Sequence, residues 1–138
     1  MKYVGIRSCR EKRDALKRSG RIIRVPVECL IAGDCRRHLQ FLCGDDSLYR
    51  EFYKRRGRVY TERKIAQFHE LNRSIRCSGY DTGRGIIVVA SVGARLDGSH
   101  RASILYNMGV VEVDVKEVEM DMTDSLRQHL KEQQDAYC

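Results

Sequence analysis

The stretch GIIVVASVGARL, residues 85–96, is nearly unbroken apolar sequence and rich in β-branched side chains. Such a run suits a strand buried on both faces of a sheet. Its apolar part, Gly85 to Ala94, is too short to cross a bilayer. A strand of this kind needs helices on both sides, and the rest of the chain offers them. TERKIAQFHELNRSIRCSGYD is the clearest helix, with Thr61 as its expected N-cap, a stripe at Ile65, Phe68, Leu71 or Asn72, and Ile75, and Gly79 at its end. VVEVDVKEV (110–118) alternates, with Val111, Val113 and Val115 on one side, and predicts a half-buried strand. RIIRVPVECLI (21–31) predicts another strand, which Pro26 assigns to a sheet edge or a bulge. Helices are expected over Arg10–Arg21, as a helix–turn–helix over 36–57 with Asp46 or Ser47 as a cap, over SHRASILYNMG, and over TDSLRQHLKEQQ. Strands separated by helices imply a crossover and some parallel pairing. The expected fold is α+β, a small mixed sheet with flanking helices. With 138 residues and 42% hydrophobic content, one domain is expected, bearing a basic N-terminal extension (1–20) and a helical insertion (36–60).

The start, MKYVGIRSCREKRD, has no apolar stretch of the secretory kind, so a cytoplasmic protein is expected. Cys9, Cys29, Cys35, Cys43, Cys77 and Cys138 then read as reduced thiols. Cys29, Cys35, His38 and Cys43 could hold zinc, but their spacing matches no regular finger, and small buried side chains are the plainer expectation. The net charge of +7 is uneven: residues 1–69 carry 18 basic and 8 acidic side chains, residues 70–138 carry 8 and 11. Basic residues concentrate in Arg7–Arg24 and Arg50–Lys64. This asymmetry points either to a polyanionic partner, nucleic acid included, or to an ordinary solvated face. Tyr49, Tyr53 and Tyr60 interleave with the second basic cluster, a pattern that can stack on bases but more commonly packs aromatics inward.

Directly after the apolar run comes Asp97-Gly98-Ser99-His100-Arg101. A strand end followed by a glycine turn and a helix start is an anion site in outline, because the first-turn N–H groups lack helical partners. Gly98 allows close backbone approach, Ser99 can cap the helix, and Arg101 offers a fork of donors to phosphate oxygens. His100 can hydrogen-bond phosphate or move a proton, and Asp97 can bind Mg²⁺ or act as a base. Asp-Gly-Ser is also ordinary turn chemistry.

The sequence from ERKIAQFHELNRSIRCSGYD through GIIVVASVGARL to DGSHRASILYNMG and VVEVDVKEVE resembles the ParB/sulfiredoxin superfamily, and VPVECLI resembles its first strand. The nearest variants are the Asp-Gly-x-His-Arg type found in free-serine kinases. The resemblance implies nucleotide binding, ATP or CTP with Mg²⁺, with Gly98, Ser99, His100 and Arg101 at the nucleotide and Asp97 as the acidic residue. Ser99 stands where sulfiredoxins have their cysteine, which excludes thiolate chemistry there. Serine kinases of this type have an acid after the first strand, implying Asp34, with Glu28 as the other candidate. Asp34 and Asp97 are thus the implied catalytic residues of a phosphotransferase acting on a small hydroxyl acceptor. The alternatives are a non-catalytic nucleotide switch and a nucleic-acid-binding protein using the basic half. No helix-turn-helix DNA reader is legible after the turn.

Overall fold

A computed structural model describes residues 2–136; Cys138 lies outside them. The fold is α+β, with a five-stranded mixed sheet in the order β1-β4-β3-β5-β2. The strands are β1 (Val4–Gly5), β2 (Arg21–Pro26), β3 (Val88–Ala90), β4 (Ala94–Asp97) and β5 (Glu112–Val118). The helices are α1 (Arg10–Leu16), α2 (Arg36–Leu42), α3 (Ser47–Tyr53), α4 (Arg58–Ser78), α5 (Ser99–Asn107) and α6 (Asp124–Ala136). The pairs β1–β4 and β3–β5 are parallel, while β3–β4 and β2–β5 are antiparallel. β2 lies at an edge, and Pro26 closes it.

The apolar run 85–96 is two strands, not one. Ser91, Val92 and Gly93 turn the chain, Gly93 adopts φ +99°, and its N–H donates to the Ala90 carbonyl at 3.0 Å. A three-residue hairpin loop with glycine in the left-handed region is a favoured connection. Its burial is as expected: Val88, Val89, Ala90, Ala94 and Leu96 are all buried.

Alternation along the strands divides the interior into two clusters. Ile87, Val89, Val113, Val115 and Val25 join Leu30, Phe41, Tyr49, Phe68 and Ile104 on one face. Val88, Ala90, Ala94, Leu96 and Val118 join Ala15, Leu126 and Leu130 on the other. Within the stretch read as a basic extension, Val4 and Gly5 form an edge strand and Ala15 is fully buried. Among the described residues no helix is long and apolar enough to cross a membrane.

Several local expectations shift. α4 starts three residues before Thr61, whose hydroxyl instead donates to the Gly57 carbonyl at 2.8 Å from inside the helix. Asp46 is the N-cap of α3, as one of the two expected residues, but its side chain makes no cap hydrogen bond; Asp45 accepts from the Ser47 N–H at 3.1 Å and hydroxyl at 2.6 Å. α1 ends at Leu16 rather than near Gly20. Val111 precedes β5 and is 77% exposed.

Candidate functional site at the β4–α5 turn

β4 ends at Asp97, which is exposed, and α5 begins at Ser99. Between them Gly98 adopts φ +98°, ψ +26°. A Cβ there would approach Ile87 Cγ1 to 2.7 Å and Ile87 Cα to 3.0 Å, so both backbone conformation and packing require glycine. Gly98, not Ser99, is the N-cap of α5, and its carbonyl accepts the Ala102 N–H at 2.9 Å. No side chain caps this terminus. The first-turn N–H groups therefore have no intrahelical partners and point, with the positive end of the helix dipole, toward the turn.

The turn stands between two clefts that share Asp97, Gly98 and Ser99. The first, about 170 Å³, lies against α4 and adds Lys64, Gln67, Phe68, Tyr49, His100 and Arg101. The second, about 120 Å³, lies at the carboxyl ends of β1 and β4 and adds Asp34, Lys12 and Arg95. Crevices at such strand ends are where ligands bind in open α/β sheets. The six residues implied by the sequence, Asp34, Asp97, Gly98, Ser99, His100 and Arg101, are thus all found around one turn. Glu28 falls elsewhere, in a surface groove beside Pro26 and Tyr106.

Asp34 is not a free carboxylate. Its Oδ2 accepts from the Arg95 guanidinium, which also donates to the Leu30 carbonyl and lies 3.4 Å from Cys35 Sγ. The Arg95 side chain is 2% exposed and that of Asp34 36%. A Cβ on Gly5 would lie 2.5 Å from Asp34 Oδ2, so the bare backbone of β1 also fits against this pair.

His100 departs from the expected proton carrier. Its Nε2 is 3.1 Å from the Tyr49 hydroxyl, Phe68 meets its ring edge-on at 4.8 Å, and the His38 ring lies 4.0 Å away, tilted by 30°. Burial, then the charges of Lys64, Arg37, Arg101 and Arg95, holds its pKa down at about 4. His38 is fully buried with the Ser99 backbone beside its ring, and burial, then the neighbouring His100, pushes its pKa down to about 2. Both rings are neutral at pH 7, so His100 is a neutral hydrogen-bonding group in the unliganded protein. Burial likewise raises the Tyr49 hydroxyl above its ordinary range. Arg101 rests against the 84–87 loop, where a Cβ on Gly85 would come within 2.3 Å of its Nη2.

Cys29, Cys35, His38 and Cys43, weighed as zinc ligands against small buried side chains, are not assembled into a metal site. Among the described residues no group of three or more His, Cys, Asp or Glu side chains is placed to hold a metal. Cys35 and His38 are buried, whereas Cys43 is exposed. Tyr49 and Tyr53 are buried in the aromatic cluster, the more ordinary of their two expected fates.

Arg95 and Lys64 were not singled out from the sequence, and His38 and Tyr49 were weighed for other roles, zinc and base stacking, and not for this turn. Arg95 had a legible mark: a charge between Ala94 and Leu96 must face the opposite side of a buried strand and needs a partner there. His38 and Tyr49 reach the site only through tertiary packing.

Comparison with protein-family models, curated proteins and solved structures gave no match to this chain.

Proposed function

We propose that this protein binds ATP or CTP by its phosphates at the α5 N-terminus and transfers a phosphoryl group to a small hydroxyl acceptor. The observation that carries this reading is the uncapped start of α5 opening on a cleft that Lys64 and Arg101 line. First-turn N–H groups, a lysine and an arginine fork form a natural phosphate cradle. The similarity to the ParB/sulfiredoxin superfamily leads to the same ligand. A cleft of about 170 Å³ encloses only part of a nucleotide, so the remainder would lie along the open surface of α4.

Mg²⁺ commonly takes one or two carboxylates and otherwise phosphate oxygens and water. Exposed Asp97, shared by both clefts, fits that role, and the absence of a larger acidic cluster among the described residues means the phosphates would supply most of the other ligands. The metal would neutralise phosphate charge. In the transfer, the acceptor oxygen bonds to the γ-phosphorus and the bond to the β-phosphate oxygen breaks. Asp97 takes the hydroxyl proton, and Lys64, Arg101 and the helix N-terminus hold the charge on the phosphates. Asp34, bound to Arg95, serves as a fixed wall of the acceptor side and not as the base.

A non-catalytic nucleotide switch is the second reading. It is favoured by that same pairing, which leaves Asp97 as the one candidate base. A nucleic-acid role draws less support, since Tyr49 and Tyr53 are buried and Arg18, Arg21, Arg24 and Arg50 are ion-paired within the chain.

Calorimetric titration with ATP and CTP in the presence of Mg²⁺ tests the reading. Binding by the wild type, lost in Arg101→Ala, is expected. Asp97→Asn should keep binding and lose turnover; turnover that survives it refutes Asp97 as the base. Nucleotide-dependent assembly without phosphoryl transfer would select the switch. No binding at millimolar nucleotide would refute the nucleotide site altogether.

A further inference from the structure

We propose that the corner joining α3 to α4 is a docking surface for an anionic lipid bilayer, where arginines meet lipid phosphates and Phe52 and Val59 enter the headgroup layer.

After α3 the chain makes one 3₁₀ turn, Lys54–Arg56, passes Gly57 and enters α4 at Arg58. Arg50 has Asp46 and Glu62 as acidic partners, and Lys54 has Glu51. Arg55, Arg56, Arg58 and Arg63 are exposed, and among the described residues none of them forms an ion pair. Four unanswered guanidinium groups within residues 55–63 repel one another. They are not placed to suit the helix either. α4 opens on Arg58 with no acid in its first turn, the reverse of what its dipole favours.

The same corner exposes apolar side chains: Val59 is 83% exposed and Phe52 56%. A chain of ring contacts joins the two regions. Phe52 meets Tyr53 edge-on at 4.9 Å, and Tyr53 lies 5.7 Å from Tyr60. Arg56 lies over the Tyr60 ring at 4.1 Å and Arg63 at 5.4 Å. Val59 is one turn from Arg63 on the same side of α4. A lone exposed valine is ordinary. An exposed valine and phenylalanine among unpaired arginines match a lipid interface, where arginine takes phosphate and apolar groups reach the acyl boundary.

Nucleic acid fits this patch less well. Binding of single strands uses open aromatic faces on which bases stack. Here Tyr53 is buried, Tyr60 carries two guanidinium groups, and Phe52 carries that of Arg37 at 3.7 Å. Val59 has no counterpart on a phosphate backbone, whereas a bilayer buries it. Lys64 lies 5.7 Å from the Tyr60 ring and also lines the cleft at the β4–α5 turn, so the patch adjoins that cleft. The patch does not depend on what the cleft binds.

Sedimentation of the full chain with vesicles of phosphatidylcholine alone, and of phosphatidylcholine and phosphatidylglycerol in equal parts, tests this. Binding to the anionic vesicles only, weakened by added salt, is expected. Arg55→Gln combined with Arg58→Gln should weaken it about 25-fold, about fivefold for each charge lost. Val59→Ser, which leaves the charge unchanged, should weaken it about tenfold. All three side chains are exposed, so these variants keep the fold. Arg127→Gln, which removes a charge from α6 on the other face of the sheet, should leave binding nearly unchanged. A loss with Arg127→Gln equal to that with Arg58→Gln alone would reduce the effect to net charge and overturn the patch. Wild-type affinity in Val59→Ser, or a single-stranded oligonucleotide that binds more tightly than the vesicles and displaces them, would overturn the bilayer as partner. No sedimentation with anionic vesicles at millimolar lipid would overturn the proposal outright.

Discussion

Removing Asp34 should destabilise the protein more than removing Arg95, although the two side chains form one ion pair. The asymmetry follows from burial. The Arg95 side chain is 2% exposed, whereas the Asp34 side chain is 36% exposed. Asp34→Ala leaves a nearly buried guanidinium without its counter-ion. Breaking a buried pair in this way costs about 3–5 kcal/mol. Here the Leu30 carbonyl and Cys35 Sγ remain as partners, and solvent already screens the pair on the Asp34 side, so about 2–3 kcal/mol is expected. Arg95→Met removes the charge and keeps the apolar stem. The freed carboxylate turns to water, and the main loss is the donor to the Leu30 carbonyl, about 1 kcal/mol. The double variant should resemble Arg95→Met alone, because once the guanidinium is gone Asp34 has nothing buried to neutralise. Urea unfolding at pH 7, with midpoints compared at constant slope, reads all three. An Arg95→Met cost equal to or above that of Asp34→Ala, or an additive double variant, would refute the assignment of Asp34 as counter-ion.

Gly98→Ala combines a left-handed φ with a clash against the Ile87 backbone, so a loss of about 3 kcal/mol and a Tm lower by about 10 °C are expected. Gly109→Ala shares the positive φ, +81°, with nothing within 4 Å of the new Cβ, and should cost only about 1 kcal/mol; equal losses would contradict the packing argument. His38 and His100 have pKa values held below their ordinary 6.5, so the unfolded chain binds more protons at acid pH. Their stabilising contribution is complete above about 6.5 and is lost as pH falls, toward about 4 for His100 and about 2 for His38, each residue adding a slope approaching about 1.4 kcal/mol per pH unit. His38→Phe should roughly halve that slope in unfolding measured from pH 5 to 7; an unchanged slope would refute a buried neutral His38.

The strand signal in Val113 and Val115, the stripe Ile65–Phe68–Ile75 and the edge position of Pro26 were legible because each depends on local periodicity or backbone chemistry. The hairpin inside residues 85–96 was not. Both of its strands are buried on both faces, and apolar character does not distinguish one long strand from two short ones. The two-residue strand β1 is too short for any periodicity and exists only because β4 offers it a partner. The Asp97–Arg101 turn was legible as strand end, glycine and helix start. What surrounds it was not: Asp34 and Arg95 are 61 residues apart, and Tyr49 and His100 are 51 apart. Such contacts are set by how the layers stack, which no short window of sequence contains.

The uneven charge of the chain takes on a different meaning once the strands are paired. The basic first half and the acidic second half meet along the β2–β5 ladder: Arg21 with Glu117, Arg24 with Glu112 and Asp114, and, just beyond, Arg18 with Asp121. Exposed pairs of this kind add little stability each. Their effect is on register, because a one-residue slip of β2 would turn Val25 out of the core and set arginines beside the wrong neighbours. Much of the positive charge in Arg7–Arg24 is therefore answered within the chain. Around the β4–α5 turn the balance is different. Lys64 and Arg101 line the cleft beside His100, and among the described residues neither forms an ion pair. Total charge alone pointed to the whole first half; the pairing within the chain narrows the unanswered charge beside the α5 N-terminus to Lys64 of α4 and Arg101 of α5, which line the same cleft.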